Sequence, residues 1–284
     1  MGLADYGRLV ALAAIWGASF IFMRIAAPVL GPLVTADLRV LIAGLALAAW
    51  LRATGFDAEW RRYWKQYAAI GTVNSGLPFL LYAFAALHVT APLMAVLNSS
   101  APMFGAIAGA LWLGERMTAL KLAGLAAGAA GVAVIFNPGA FPGTPMFGWA
   151  VAACLAAGVC YGVTGAMLRW LAPQAKPRGI AVGSQFAAGI VLLPPSALFL
   201  PDAAPSLPAV ASILALGIVC GAIAYLLYFR LIAEVGATRA LTVTYLIPLF
   251  GIAWGALFLG EALPASALAG GVLILAGTVL VTRG

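Results

Sequence analysis

Charge is scarce in this chain, and acid is scarcest. Eight Asp and Glu stand against fifteen Lys and Arg, with a single histidine, and charged residues make up only 8% of the 284. A soluble domain carries about 25% charged residues. A chain this poor in polar side chains cannot cover itself in water. The three cysteines, Cys154, Cys160 and Cys220, stand singly in apolar stretches. Small buried hydrophobes are the expected role, not a disulfide framework or a metal site. No zinc-type Cys/His spacing, Gly-rich phosphate loop or nucleophile–base pair occurs. The sequence therefore gives no reason to expect an enzyme, a cofactor or a metal. A long basic run is missing too, so the net charge of +7 does not point to nucleic acid.

Apolar residues fill the space that charge leaves. They make up 64% of the chain, and mean hydropathy is +1.08. A helix needs ~20 apolar residues to cross a bilayer. Spans are expected near Leu9–Val29, Thr35–Leu51, Tyr67–Leu87, Ala91–Leu113, Leu120–Phe136, Gly148–Leu168, Ile180–Leu200, Ala209–Ile232, Ala237–Leu259 and Ala265–Thr282. Turn chemistry marks the breaks, as in "PVLGP", "NPGAFPGTP" and "LPDAAPSLP". The opening "MGLADYGR" has no basic n-region, so the first span is expected to be retained. Ten spans put both termini on one side. Thirteen of the fifteen Lys and Arg then fall on that side, and only Arg24 and Arg39 on the other. The positive-inside rule makes that side cytoplasmic.

The chain also repeats itself. "LWLGER" at Leu111–Arg116 returns as "LFLGEA" at Leu257–Ala262, and Gly114 and Gly260 lie 146 positions apart. The same shift, or 145, carries "WGASFIFMR" (Trp16–Arg24) onto "YGVTGAMLR" (Tyr161–Arg169) and Pro102 onto Pro248. Each half, 1–137 and 146–284, holds five expected spans. Halves with an odd number of spans cross the membrane in opposite directions. The second copy of the phrase loses its arginine because it falls on the side where positive charge is avoided. The expected fold is an all-α membrane protein of ten transmembrane helices, built as two inverted five-helix repeats. That pattern is the mark of an alternating-access carrier with its site near the midplane.

Polar and aromatic groups inside spans are expensive in lipid and tend to face protein or a water path. Trp16 and Tyr161 are repeat-related, and each precedes a glycine. Asn74, Pro78 and Tyr82 are spaced by four in the third span, which puts them on one α-helical face. Pro78 frees a backbone carbonyl. Asn98, Ser99 and Pro102 repeat the arrangement in the fourth span, as do Thr244, Tyr245 and Pro248 in the ninth. The eighth adds Tyr225 and Tyr228. The candidate cavity residues are Trp16, Asn74, Pro78, Tyr82, Asn98, Ser99, Tyr161, Tyr225, Thr244 and Tyr245. Each, taken singly, reads equally as packing or as an interhelical hydrogen bond worth about 0.6 kcal/mol.

No carboxylate falls near a span centre, which argues for facilitated export or exchange over proton coupling. Arg24 and Arg39 are read as snorkelling to headgroups, or as meeting a carboxylate near the outer mouth. Glu115 and Glu261 are read as helix-terminating and N-capping residues. The GxxxG at Gly124–Gly128 fits a contact within the chain or between protomers.

These motifs in this order, "WGASFIFMR", "DLRVLIAG" and the paired "LGE" with following "LAG", resemble the EamA-type drug/metabolite transporters over essentially the whole chain. Within that family the similarity is to bacterial exporters of aromatic amino acids. The resemblance implies a ten-helix carrier in a bacterial inner membrane, with the bilayer and a small-molecule substrate as partners. An organic-cation carrier would want an acidic group in its cavity. A nucleotide-sugar or sugar-phosphate exchanger would want several mid-span cations.

Overall fold

The computed structural model of the protein describes residues 2–136 and 145–284. The break expected over 137–144, and the first repeat's boundary at 137, lie outside the described residues. Among the described residues the regular structure is all helical. In hydrocarbon each backbone N–H and C=O must be satisfied within its own segment, which a helix does.

The ten main helices are α1 Leu3–Leu30, α2 Pro32–Ala53, α3 Trp60–Ala85, α4 Ala91–Leu113, α5 Ala119–Ile135, α6 Pro145–Leu171, α7 Pro177–Phe199, α8 Leu207–Val235, α9 Val243–Leu259 and α10 Ala265–Arg283. Eight are long and apolar enough to cross a membrane, and α5 and α9 are shorter apolar helices. Several boundaries move from expectation; α1 and α3 begin at Leu3 and Trp60, before the expected Leu9 and Tyr67. α2 begins at Pro32 rather than Thr35, because proline is suited to a first helical turn. The ninth span does not run unbroken from residue 237. A short helix, Ala237–Ala240, precedes α9 and is separated from it by a turn.

The repeated phrase is a helix terminator. Gly114 and Gly260 take left-handed φ values of 68° and 64°, which a residue with a Cβ rarely adopts. Each ends its helix, and the following glutamate N–H bonds back to a carbonyl six residues earlier: Glu115 to Gly109 and Glu261 to Gly255, both at 3.1 Å. A left-handed glycine of this kind is a common closure of a helix C-terminus.

α1 packs against α9 and α8, α2 against α7 and α8, α3 against α6 and α7, α4 against α6 and α9, and α5 against α10. Close approach at small residues recurs. A Cβ on Gly131 would stand 2.5 Å from the Gly270 carbonyl oxygen, and one on Gly270 would stand 2.5 Å from that of Gly131. In the GxxxG of α5, a Cβ on Gly124 would stand 2.6 Å from the Gly277 carbonyl oxygen of α10, while Gly128 packs on Met103 of α4. On α2 and α7, Gly44 backs onto Phe186, and Gly189 onto Leu41. Large apolar side chains such as Leu111, Trp149 and Phe258 remain exposed around the outside, as lipid-facing positions should.

Two helices widen. Thr72–Gly76 of α3 and Ala215–Ile223 of α8 make i→i+5 turns. The shift of 146 that separates Gly114 from Gly260 carries the first segment onto residues 218–222, inside the second. Such turns leave carbonyls and side chains off the α period and are frequent at functional sites.

Candidate functional site

The widened turns gather the polar groups. In α3, Pro78 has no N–H for the carbonyl of Asn74, so that carbonyl loses its α-helical partner. The Asn74 amide bonds Ser75 Oγ at 3.4 Å, and the Tyr225 hydroxyl of α8 lies in hydrogen-bond reach of Asn74, Ser75 and Gln185. In α8, the carbonyl of Cys220 accepts the Trp16 Nε1–H at 3.2 Å. The Cys220 thiol in turn faces the Ile15 carbonyl at 3.3 Å. The Trp16 ring is thus pinned to α8. It lies 6.3 Å from the Tyr225 ring, edge to face, and 5.3 Å from Tyr228.

Arg39 sits beside this group. It is 5% exposed and lies in electrostatic reach of Tyr161, Tyr225 and Cys220. Its Cζ stacks 3.7 Å from the Phe79 ring centroid, and one terminal nitrogen approaches Met23 Sδ at 3.4 Å. Stacking on an aromatic offsets about 2 kcal/mol when desolvated. Burying a charge costs several. The snorkelling reading of Arg39 is therefore overturned. Starting α2 at Pro32 makes Arg39 its eighth residue, ~10 Å from the helix end by rise, and helices from both halves close over it.

A second polar pair lies next to the first group. The buried Tyr82 hydroxyl donates to Asn98 Oδ1 at 2.9 Å, and its ring meets Phe20 edge to face at 5.5 Å. Tyr82 is also in electrostatic reach of Tyr161. Asn74 and Tyr82 have different hydrogen-bond partners, Ser75 and Asn98. The i→i+5 turn at Thr72–Gly76 breaks the 3.6 period between them.

The structure thus brings Trp16, Asn74, Tyr161 and Tyr225 together, with Pro78 one turn from Asn74 and Tyr82–Asn98 alongside. It does not bring the remaining three there. Ser99 is turned onto its own helix at Val96, and its carbonyl accepts Thr278 Oγ1 of α10 at 2.7 Å. Thr244 bonds back to the Leu241 carbonyl at 2.8 Å, and Tyr245 bonds Thr282; both bonds are exposed. Gln185, Ser75 and Cys220 escaped the sequence reading. Gln185 carried a usable signal, as an amide in the middle of an otherwise apolar span.

The two ends of the bundle differ. Away from the termini, Arg24 Nε meets Glu261 Oε1 at 2.9 Å, an Arg24 terminal nitrogen donates to the Ala86 carbonyl at 2.6 Å, and Glu261 Oε2 accepts the Ala91 N–H at 2.8 Å. At the end near the C-terminus, Glu115 lies 3.8 Å from both Lys121 and Arg169. There a cleft of about 250 Å³ opens between α4 and α10, lined by Pro102, Gly105, Glu115, Lys121, Val281 and Thr282. The N-capping reading of both glutamates is corrected. Thr118 caps α5 and Pro264 precedes α10 without a side-chain cap; Glu115 instead lies near Lys121 and Arg169, and Glu261 instead binds Arg24 and the first N–H of α4. Asp37 is also buried, at 2% exposed, and accepts the Ser196 hydroxyl.

Comparison with known proteins places this arrangement. A model of the EamA-like transporter family matches the chain twice, over residues 7–137 and 148–283. A protein of Streptantibioticus cattleyicolor named "Probable terminal-alkyne amino-acid exporter" is 28% identical over 277 residues, covering 97% of this chain and 92% of that protein. The "Uncharacterized inner membrane transporter YedA" of Escherichia coli K12 is 29% identical, covering 98% and 90%. A solved crystal structure, 22% identical, shares the fold with a TM-score of 0.67 over 100% of this chain and 98% of its own. The chain belongs to the EamA-like transporter family and is a multi-pass membrane transporter of small molecules.

Proposed function

We propose that the chain is an alternating-access carrier that exports small amphipathic metabolites, foremost amino acids with apolar or aromatic side chains, across a bacterial inner membrane. The observation that carries this reading is the group formed by Trp16, Arg39, Asn74, Tyr161, Gln185 and Tyr225, drawn from six helices of both halves, with Arg39 and Gln185 buried and the other four partly buried. It offers a cation, amide and hydroxyl groups, and aromatic surface in one place. A zwitterion leaving water needs polar replacements for its lost hydration, and its side chain needs apolar or ring contacts. The name of the Streptantibioticus relative supports the amino-acid class. A buried arginine beside the site disfavours organic cations.

Two inverted halves are supported by contacts that occur twice: Gly44 on Phe186 with Gly189 on Leu41, and Gly17 on Gly251 with Gly162 on Gly105. The matched ion pairs extend the pattern. A shift of 145–146 carries Arg24 and Glu115 onto Arg169 and Glu261, so each pair joins one half to the other at opposite ends. In this reading the two pairs are alternating latches, one tight and one loose. The test of the function is uptake of radiolabelled amino acids into liposomes holding the purified protein. Failure of every amino acid, with transport of organic cations intact, overturns it.

Two expected results belong to this reading. Both termini and the 54–59 loop should be cytoplasmic, given the basic-residue count. With Cys154, Cys160 and Cys220 replaced by alanine, a membrane-impermeant thiol reagent on intact cells should label Ala204→Cys and spare Gly55→Cys; the reverse pattern sinks the orientation. Trp16→Ala should weaken phenylalanine transport a few-fold to about tenfold, since ring stacking adds ~0.5–1.5 kcal/mol beyond burial. Threonine transport should change less than twofold. Equal loss for both would assign Trp16 to helix packing alone.

A further inference from the structure

The guanidinium of Arg39 is 5% exposed, yet it pairs with no carboxylate among the described residues, and its Nε has no hydrogen-bond partner. Asp37, two positions earlier on α2, is turned to Ser196 of α7 and gives Arg39 nothing. Its contacts inside the protein are a thioether sulfur and the face of Phe79. Neither matches what a guanidinium is shaped for: five N–H donors in a planar fork that fits a carboxylate with two parallel bonds. Packing does not require arginine here either. A shift of 145 lands on Ser184, where α7 passes α3 at Gly71, and the corresponding contact on the other side is Arg39 and Ile42 of α2 with Gly217 of α8. One half makes this crossing with a serine.

A second buried group with an unpartnered atom borders the same Tyr225. Gln185 is 1% exposed, and its Oε1 has no partner. It reaches the same Tyr225 hydroxyl as Asn74. The site therefore holds an unpartnered guanidinium N–H, Arg39 Nε, and an unpartnered acceptor oxygen, Gln185 Oε1, both close to Tyr225, with the Trp16 ring beside them. That polarity is complementary to the carboxylate and ammonium of one amino-acid backbone.

We propose that Arg39 is the substrate's carboxylate-binding residue and that Gln185 Oε1 faces its ammonium group, so the carrier selects α-amino acids over amines and over carboxylic acids. This rests on the amino-acid reading above and adds the residues that read the common backbone. Trp16 then acts on the variable side chain.

The test uses full-length protein in liposomes, with L-phenylalanine, phenethylamine (no carboxylate) and 3-phenylpropionate (no ammonium) as probes. Wild-type protein should carry phenylalanine at least tenfold better than either fragment. Arg39→Gln should raise the phenylalanine KM by thirtyfold or more while phenethylamine uptake changes less than threefold; Arg39→Lys should recover part of the loss. Gln185→Leu should bring phenylalanine toward 3-phenylpropionate. A wild-type KM for phenylalanine in Arg39→Gln overturns the assignment and leaves the amino-acid function standing. No uptake of any amino acid by wild-type protein overturns that function first. A readout on wild-type protein needs no variant to fold. Phenylalanine should raise its melting temperature in detergent and L-phenylalaninamide should not; equal stabilisation by both overturns the role of Arg39.

Discussion

In the alternating-access reading proposed above, Glu261→Gln is expected to open the end of the bundle where Arg24 pairs with Glu261. Both carboxylate oxygens are in use there. One pairs Arg24 at 2.9 Å on α1, and the other accepts the Ala91 N–H at 2.8 Å at the start of α4. The single side chain ties three helices, since Glu261 itself follows α9. The Glu261 side chain is 14% exposed and that of Arg24 32%. Such a pair is worth more than the ~0–1 kcal/mol of a surface pair. It is worth less than the ~3–5 kcal/mol lost when a fully buried pair is broken. About 1.5–3 kcal/mol of bias toward the closed end is a shift of roughly tenfold to a hundredfold in the open–closed equilibrium. Glutamine keeps an acceptor for Ala91, so the change isolates the charge. Labelling of Ala86→Cys by an impermeant thiol reagent should rise by about tenfold or more in Glu261→Gln, and fall back in Arg24→Glu/Glu261→Arg. Glu115→Gln should do far less. Its partners stand at 3.8 Å, and the Arg169 and Glu115 side chains are 66% and 40% exposed. Unchanged labelling in Glu261→Gln would remove the latch.

The helices were legible in the sequence because lipid leaves the backbone no alternative, and a stretch of twenty apolar residues announces itself. The membrane-transporter reading rests on the same legibility together with the doubled phrases. The site was legible only in part. Trp16, Asn74, Tyr161 and Tyr225 stood out as polar or aromatic interruptions. Arg39 was misread because two charges near an expected span end look like headgroup contacts. Three residues of extra helix at Pro32 turn such a charge into an interior one. Asn74 and Tyr82 were assigned one face by a period that the i→i+5 turn at Thr72–Gly76 does not keep. No residue at that turn declares it, since Pro78 fits equally well at an ordinary kink. Ser99, Thr244 and Tyr245 share the polar-before-proline pattern with Asn74. Yet they bond within or beside their own helices, and spacing along one chain cannot report which face a neighbouring helix covers. Glu261 was hardest to read. Its partners lie 237 and 170 positions away, and local capping was the only role its sequence surroundings offered.

The crossing of α5 and α10 should tolerate no side chain at all. The carbonyl oxygens of Gly131 and Gly270 each lie 2.5 Å from where the other residue's Cβ would stand. A methyl group there meets backbone, which cannot rotate aside as a side chain can. The helices must separate, and every contact along the crossing loosens with them. Overpacking of a well-fitted contact costs about 1–3 kcal/mol. In lipid no hydrophobic gain returns when helices part, so close packing carries much of the association. Gly270→Ala should therefore sit near the upper end of that range and lower the apparent melting temperature in detergent by roughly 5–10 °C. Gly131→Ala should match it, and the double variant should cost less than the two added together, because one separation of the helices relieves both clashes. Gly165→Ala on α6 is the control. Nothing lies within 4 Å of its Cβ position, and alanine is the better helix former by about 1 kcal/mol. The same ordering should appear in the amount of monodisperse protein recovered after mild heating. Equal melting temperatures for Gly270→Ala and Gly165→Ala would mean that the crossing is looser than drawn and that α5 and α10 meet through their side chains.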